Sequence, residues 1–369
     1  MTDRASSAVA ALREKILALS NLDPPGGEEP EGVEAEDREI RRVLKVLSAA
    51  GLLAELSNRE VCAAREALSF RSGLADVAFV MQGLGSAAIS FHGTSAQKEA
   101  YLPRVAAGEC IAALALTEPG AGSDLTAIAT RARREGDGYI LDGEKTLISN
   151  AGLAGMYTLF ARTSEDRRLG LSAFIVEPGD SGFSRVERLR GLAPHPIGRF
   201  SLRDCRVPAS RLIGKEGQGL GVALSVLDFY RPTVGAAAIG IARRAIVETV
   251  THLKSRRQFG APLADLQGLQ FLLADMATET EAAALLVARA AAAVDEGRPR
   301  TTLESAMAKL HATETAQKVV DAAVQMRGGF GVIRGSVVER LYREVRALRI
   351  YEGASEVQKV VIAREILRG

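Results

Sequence analysis

The chain has 369 residues, long enough for two or three domains and a large core, and carries 47 Lys and Arg against 45 Asp and Glu, a net charge of +2. So even a balance gives no electrostatic basis for nucleic-acid or membrane binding, and neither partner is expected. Cys62, Cys110 and Cys205 are far apart, and with four His and no Cys-x-x-Cys they exclude a disulfide framework or a structural zinc site. No apolar run approaches about 18 residues and the N-terminus lacks a signal-peptide core, so a cytoplasmic protein is expected.

Val9, Leu12, Ile16 and Leu19 fall at helical spacing and predict a helix over residues 3–20. The Pro-, Gly- and acid-rich residues 22–37 read as a loop. From Asp37 to about Gly108 the pattern is helical: amphipathic over 38–50 and 59–70, nearly all apolar and so buried over 74–89, then 95–107 with Gly108 as the stop. Between residues 112 and 207 the signals turn to β. Residues 139–145 read as two short strands around the hairpin dipeptide Asp142-Gly143. Further strands are expected at 156–161, 171–176, 183–188 and 199–204. After Gly214 the chain is helical to the end, with a long helix rich in small residues over 219–255 and Ala-rich helices over 265–296 and 302–325. The expected fold is α+β and multidomain: an N-terminal helical domain (1–111), a middle antiparallel β-barrel or sandwich (112–214), and a C-terminal four-helix bundle (215–369).

Several stretches carry chemistry. In Ile350-Tyr351-Glu352-Gly353-Ala354-Ser355, one helix ends near Leu348 and another opens at Ser355, so Glu352 lies on a short turn that aims its carboxylate into a cleft. In Thr117-Glu118-Pro119-Gly120-Ala121-Gly122-Ser123-Asp124 a strand meets a glycine-rich turn. Its N–H groups, with the Ser123 hydroxyl, suit an anion such as a pyrophosphate, and a plain turn capped by Asp124 explains it as well. Lys145–Asn150 reads as the return strand of the hairpin. Asp228 and Arg231 form either an i, i+3 pair or a ligand-orienting pair. Arg256 and Arg257 close a helix near its negative dipole end. Gln325-Met326-Arg327-Gly328-Gly329-Phe330-Gly331 is a helix stop or a backbone bend that a ligand approaches. Arg340, Arg343, Arg346 and Arg349 read as a solvated or ion-paired face.

Taken together, TEPGAGSD, the FGAPL-to-Gln267 stretch, QMRGGFG and IYEGASEVQ resemble the acyl-CoA dehydrogenase family of flavoproteins from about Arg38 onward. The resemblance implies an FAD-dependent α,β-dehydrogenation of an acyl-CoA thioester to the trans-2-enoyl product, with Glu352 as base and flavin N5 as hydride acceptor. By the same resemblance, Leu116 and Thr117 meet the flavin ring, Gly122 and Ser123 its pyrophosphate and the substrate's pantetheine arm, and Ser149 a flavin atom. Arg256, Phe259, Gln267, Gln325 and Gly329 reach the FAD of a neighbouring subunit in a homotetramer (a dimer of dimers) or homodimer. Ala354 and Glu356 flank the cofactor, and Asp228, Arg231 and Gly353 lie near the substrate. Tyr230 stands where some members carry the base instead, which favours Glu352.

Three departures bear on function, one of them an N-terminal helix pair that reads as short, an arrangement that would open the acyl pocket. Leu147 replaces the family's usual Trp, which puts delivery to an electron-transfer flavoprotein and exclusion of oxygen in question. The loop Ala193-Pro194-His195-Pro196-Ile197 lacks the family's usual polar contacts to CoA, leaving a carrier-protein thioester open. His195 reads as a surface-loop residue or as a new polar group in the site. The alternatives are a carrier-protein, oxidase or elimination variant of the chemistry, or a fold kept as a non-enzymatic binding component.

Overall fold

The computed structural model describes residues 2–19, 21–23 and 29–368. Ser20, at the end of the first predicted helix, and residues 24–28 of the predicted loop lie outside the described residues. The helices are α1 (Thr2–Leu17), α2 (Val33–Ala49), α3 (Asn58–Arg71), α4 (Gly73–His92), α5 (Ser95–Ala106), α6 (Gly219–Ser255), α7 (Gln267–Asp295), α8 (Thr302–Arg327), α9 (Val337–Leu348) and α10 (Ser355–Leu367). The strands are β1 (Ala112–Ala115), β2 (Arg131–Glu135), β3 (Gly138–Ser149), β4 (Met156–Arg162), β5 (Leu171–Val176), β6 (Glu187–Leu189), β7 (Ile197–Pro208), β8 (Leu212–Ile213), β9 (Arg257–Gln258) and β10 (Ala261–Pro262). The predicted loop over 22–37 gives way to α2 at Val33, where Glu34 and Glu36 complement the helix N-terminus. The chain forms two compact units, one of residues 29–55 and 77–227, the other of residues 1–28, 56–76 and 228–369.

The first unit is built on a sheet of order β6-β7-β3-β2-β4-β5-β8, with β1 added along β4. It is mixed rather than purely antiparallel, because β1 runs parallel to β4 and Arg131 of β2 pairs in parallel with Arg162. The hairpin lies six residues earlier than predicted. Glu135 pairs with Gly138 across Gly136-Asp137, with Gly136 at φ 58°, and β3 then runs unbroken through Asp142-Gly143 and Lys145. Asp142 spends its side chain on the Asp204 N–H of β7, 2.8 Å away, where the β3–β7 register shifts, instead of closing a turn of its own. Over 183–188 ladder pairing starts only at Glu187. Phe183 makes an isolated antiparallel bridge with Leu202 of β7 and stacks its ring on Phe200, centroids 4.6 Å apart, against the sheet core.

Close contacts fix β1, which leads into the glycine-rich turn. A Cβ on Gly85 of α4 would lie 2.6 Å from the Ala113 nitrogen, so only glycine lets the helix lie this close to the strand. Buried Gln82 donates to the Val105 and Cys110 carbonyls, both at 3.0 Å, and accepts from the Ala112 N–H at 2.9 Å. Beyond β1, Glu118 accepts from the N–H groups of Ala129 (2.6 Å) and Thr130 (3.0 Å) and from Lys145 Nζ (2.8 Å). Lys145 is fully buried and also reaches the Leu116 carbonyl at 3.2 Å. Burial opposes ionisation of Glu118, but Lys145 and these donors hold its carboxyl below the usual range.

In the second unit, small residues let the helices approach closely. Ala237 and Ile241 of α6, Ala283 and Val287 of α7, Ala312 and Ala316 of α8, and Leu341 and Val345 of α9 share one apolar core. α3 opens on a capping box, Ser57 with Glu60. α4 and α6 are long and apolar enough to span a membrane by composition, but 78% of each such window is buried, as in core helices.

Glu118→Gln or Lys145→Met alone leaves a buried charge without its partner and is expected to cost about 3–5 kcal/mol, with the double substitution costing less than the sum. Urea unfolding midpoints of the three variants check this.

Candidate active site

α9 ends at Leu348 and α10 begins at Ser355, so the sequence places Tyr351, Glu352 and Gly353 on the turn between them. Both Glu352 (φ 52°) and Gly353 (φ 94°) are left-handed. For a residue with a side chain that backbone costs about 1–2 kcal/mol, so the turn needs outside support. Three side-chain bonds to its carbonyls supply it: Lys309 Nζ to Gly353 O (2.8 Å), and Gln358 Nε2 to Gly353 O (3.0 Å) and to Glu352 O (3.2 Å). Glu314 braces the flanks, accepting from Arg349 Nε (2.8 Å) and Ser355 Oγ (2.5 Å).

The Glu352 residue is partly exposed, but its Oε2 is buried and accepts no hydrogen bond from any described residue. Burial raises its pKa above the ordinary carboxylate value, partly opposed by the nearby cations Arg65, Lys309 and Arg231 and reinforced by Asp76. Two of these cations have their own carboxylates. Arg65, 1% exposed, grips Asp76 with a fork of 2.9 and 2.8 Å and donates to Thr233 Oγ1 at 3.0 Å. Arg231 pairs with Asp228, the i, i+3 arrangement the sequence allowed, and Thr302 Oγ1 donates to Asp228 at 3.1 Å. Pro232 has no N–H to close the helix bond onto the Asp228 carbonyl, and Ser305 Oγ contacts that oxygen at 3.4 Å. Burial, then the Glu352 charge, pushes the Tyr230 phenol up, so it stays protonated.

Of the residues singled out by sequence, Glu352, Gly353, Asp228 and Arg231 come together here, with Ala354 and exposed Glu356 just beyond. Arg256, Phe259, Gln267, Gln325 and Gly329 of the same unit are exposed, Phe259 by 96% at the tip of the β9–β10 hairpin. Gly328, at φ 66°, ends α8. Of the arginines in this stretch, Arg340 pairs with Glu344 and Arg343 with Glu339 on α9, and Arg349, just past its end, pairs with Glu314. In the other unit, Leu116 is buried, Thr117 half-buried, and Gly122 and Ser123 are exposed on the turn after β1. Ser149 ends β3, and Thr146 N–H donates to Thr117 O at 3.0 Å, tying the turn to that strand. Leu147 is exposed in a left-handed conformation, φ 54°. His195 is not a free surface residue: its Nε2 shares a 2.8 Å hydrogen bond with Ser149 Oγ, and burial with nearby Arg188 pushes its pKa down to about 4.

Sequence models of the acyl-CoA dehydrogenase N-terminal, middle and C-terminal domains match residues 47–109, 113–205 and 217–367. The chain is 48% identical over 286 residues to acryloyl-CoA reductase (NADH) of Anaerotignum propionicum, covering 76% of this chain and 72% of that one. It is 38% identical over 310 residues to cyclohexane-1-carbonyl-CoA dehydrogenase of Geobacter metallireducens, covering 84% and 81%. This chain belongs to the acyl-CoA dehydrogenase family. It also superposes on butyryl-CoA dehydrogenase from Megasphaera elsdenii with a TM-score of 0.86 at 32% identity, over 97% of this chain and 98% of that one. As an acyl-CoA dehydrogenase family member it is an oxidoreductase acting on CH–CH groups.

The family is FAD-dependent, and the turn after β1 fits an anionic cofactor. Space is empty where a Cβ would stand on Gly120 or Gly122, and among the described residues the N–H groups of Gly120, Gly122 and Ser123 meet no protein acceptor. Asp124 caps the turn at Leu125–Ala127, accepting from Thr126 N–H at 2.9 Å, and Arg167 answers its charge at 3.3 Å.

The sequence reading missed Arg65, Asp76, Lys309 and Gln358 around Glu352, and Glu118 with Lys145 in the other unit. The local pattern offered no more for the first three than their place at buried spacing on their helices, as Lys309 lies between Ser305 and Thr313.

Arg65→Gln removes a cation that favours the Glu352 carboxylate and leaves Asp76 unpaired, so the acid limb of kcat/KM should move to higher pH. Asp76→Asn should move it the other way. Each should also destabilise the fold by about 3–5 kcal/mol, since each breaks a buried pair. Activity profiles from pH 5 to 9 alongside chemical denaturation check both signs.

Proposed function

We propose that the protein dehydrogenates a saturated acyl-CoA thioester to its trans-2-enoyl product, with Glu352 taking the α-proton. The observation that carries this reading is the sealed, unpartnered Oε2 of Glu352 on a left-handed turn, in surroundings that raise its proton affinity toward that of a working base. Bound FAD supplies the acceptor for the β-hydride. The Glu352 N–H, on the rigid turn, is the protein group offered to the thioester carbonyl, where it makes the α-proton more acidic. Arg231, held by Asp228, presents charge toward the substrate. For the cofactor, the free N–H groups of Gly122 and Ser123 suit the pyrophosphate, Leu116 and Thr117 the ring, and Ser149 a ring or phosphate contact fixed by His195. The exposure of Arg256, Phe259, Gln267, Gln325 and Gly329, with apolar Phe330 beside them, supports a homo-oligomer in which they reach a neighbour's cofactor.

A second reading, reduction of a 2-enoyl-CoA, is supported by the 48% identical relative named as a reductase. It uses the same residue in reverse: a carboxyl of raised pKa holds the proton it must return to the α-carbon.

Glu352→Gln should keep the yellow colour of the holoprotein while losing about 10²–10⁴-fold in turnover of an acyl-CoA, in either direction. In the parent, kcat/KM should rise with pH through a limb above the ordinary carboxylate pKa, since only the ionised base works. A holoprotein that no acyl thioester bleaches anaerobically would overturn the dehydrogenation reading, and re-oxidation by an enoyl-CoA would select the reductive one.

A further inference from the structure

We propose that Lys309 and Gln358 are positioning residues for the reaction, clamping the carbonyl of Gly353 so that Glu352 stays in the left-handed turn that aims its carboxylate. The inference rests on Glu352 being the base. Gly353 O receives two donors from two different helices, Lys309 Nζ of α8 at 2.8 Å and Gln358 Nε2 of α10 at 3.0 Å, and the same amide reaches Glu352 O at 3.2 Å. Both side chains are fully buried, 0% exposed, so neither bond competes with water.

Lys309 is unusual in what it lacks. No carboxylate lies within ion-pair distance of it among the described residues, although a buried ammonium ordinarily requires one. The charged groups around it are Glu352, Arg231 of α6, Glu314 of its own helix and Glu356 of α10. Arg231 is paired with Asp228, and Glu314 with Arg349. Glu352 is therefore the foremost anion answering the Lys309 charge, and the ammonium serves two ends. It fixes the backbone of the turn, and it favours the ionised base that burial alone would neutralise. Gln358 shares only the first role. The two residues should thus separate geometry from charge.

The test compares Lys309→Met, Gln358→Met and Glu352→Gln in the FAD-loaded enzyme. It measures steady-state kinetics from pH 5 to 9, and solvent deuterium exchange at the α-carbon of an acyl-CoA whose β-carbon bears no hydrogen. That exchange reports proton removal without hydride transfer. Both Met variants should slow kcat and exchange on the order of 10²-fold, the scale of an ångström-sized misplacement, with KM changed less than about threefold. Only Lys309→Met should also move the acid limb to higher pH. Should Lys309→Met not fold, Gln358→Met decides the clamp by itself. Exchange within threefold of the parent in either folded Met variant, or a loss confined to KM, would overturn the inference while Glu352→Gln still abolished exchange. Exchange surviving in Glu352→Gln would instead remove the base assignment, and the clamp with it.

Discussion

One constraint organises the helical unit: a carboxylate must keep an oxygen buried and without a direct partner, yet remain ionisable. Pairing Glu352 directly with an arginine would have fixed it as an anion too weakly basic to take a proton from carbon. Here Arg65 and Arg231 each stand nearby but spend their strongest contacts on Asp76 and Asp228. Their fields reach Glu352 at reduced strength, and burial prevails. The elements that bring these groups together, α3, the start of α4, α6 and α8, are packed through alanines and small aliphatics, so the charges arrive on backbones with little room to shift.

The β unit solves a related problem by similar means. Lys145 is wholly buried beneath the turn after β1 and donates to the Leu116 carbonyl and to Glu118, as Lys309 does beneath the turn after α9. In both places a long aliphatic stem crosses the core and a charged tip holds an irregular backbone segment from the inside. The difference lies in the partner. Lys145 has a carboxylate and its site is structural, whereas among the described residues Lys309 has only a carbonyl at bonding distance.

Much of this was legible in the sequence. Periodicity gave the helices to within a few residues, and Gly353 with the helix-opening Ser355 gave the turn bearing Glu352. Apolar spacing marks which faces are buried, but it is silent about a charged residue on such a face. Arg65, Asp76 and Lys309 therefore went unread until their partners, far away in the chain, were in view. The misplaced hairpin has a similar origin. Gly136-Asp137 and Asp142-Gly143 carry equal local turn chemistry, and the choice is made by the pairing of β3 with β7. The direction of His195 in a proline-bounded loop was likewise decided by a distant hydroxyl.

That histidine has a consequence for anyone watching the enzyme titrate. An imidazole that gains its proton only near pH 4 is spectroscopically silent through the neutral range, so its ring resonances should hold constant shifts there. The Ser149 hydroxyl beside it consequently meets a neutral imidazole through the neutral range. Ionisations seen in that window then belong to groups elsewhere in the molecule.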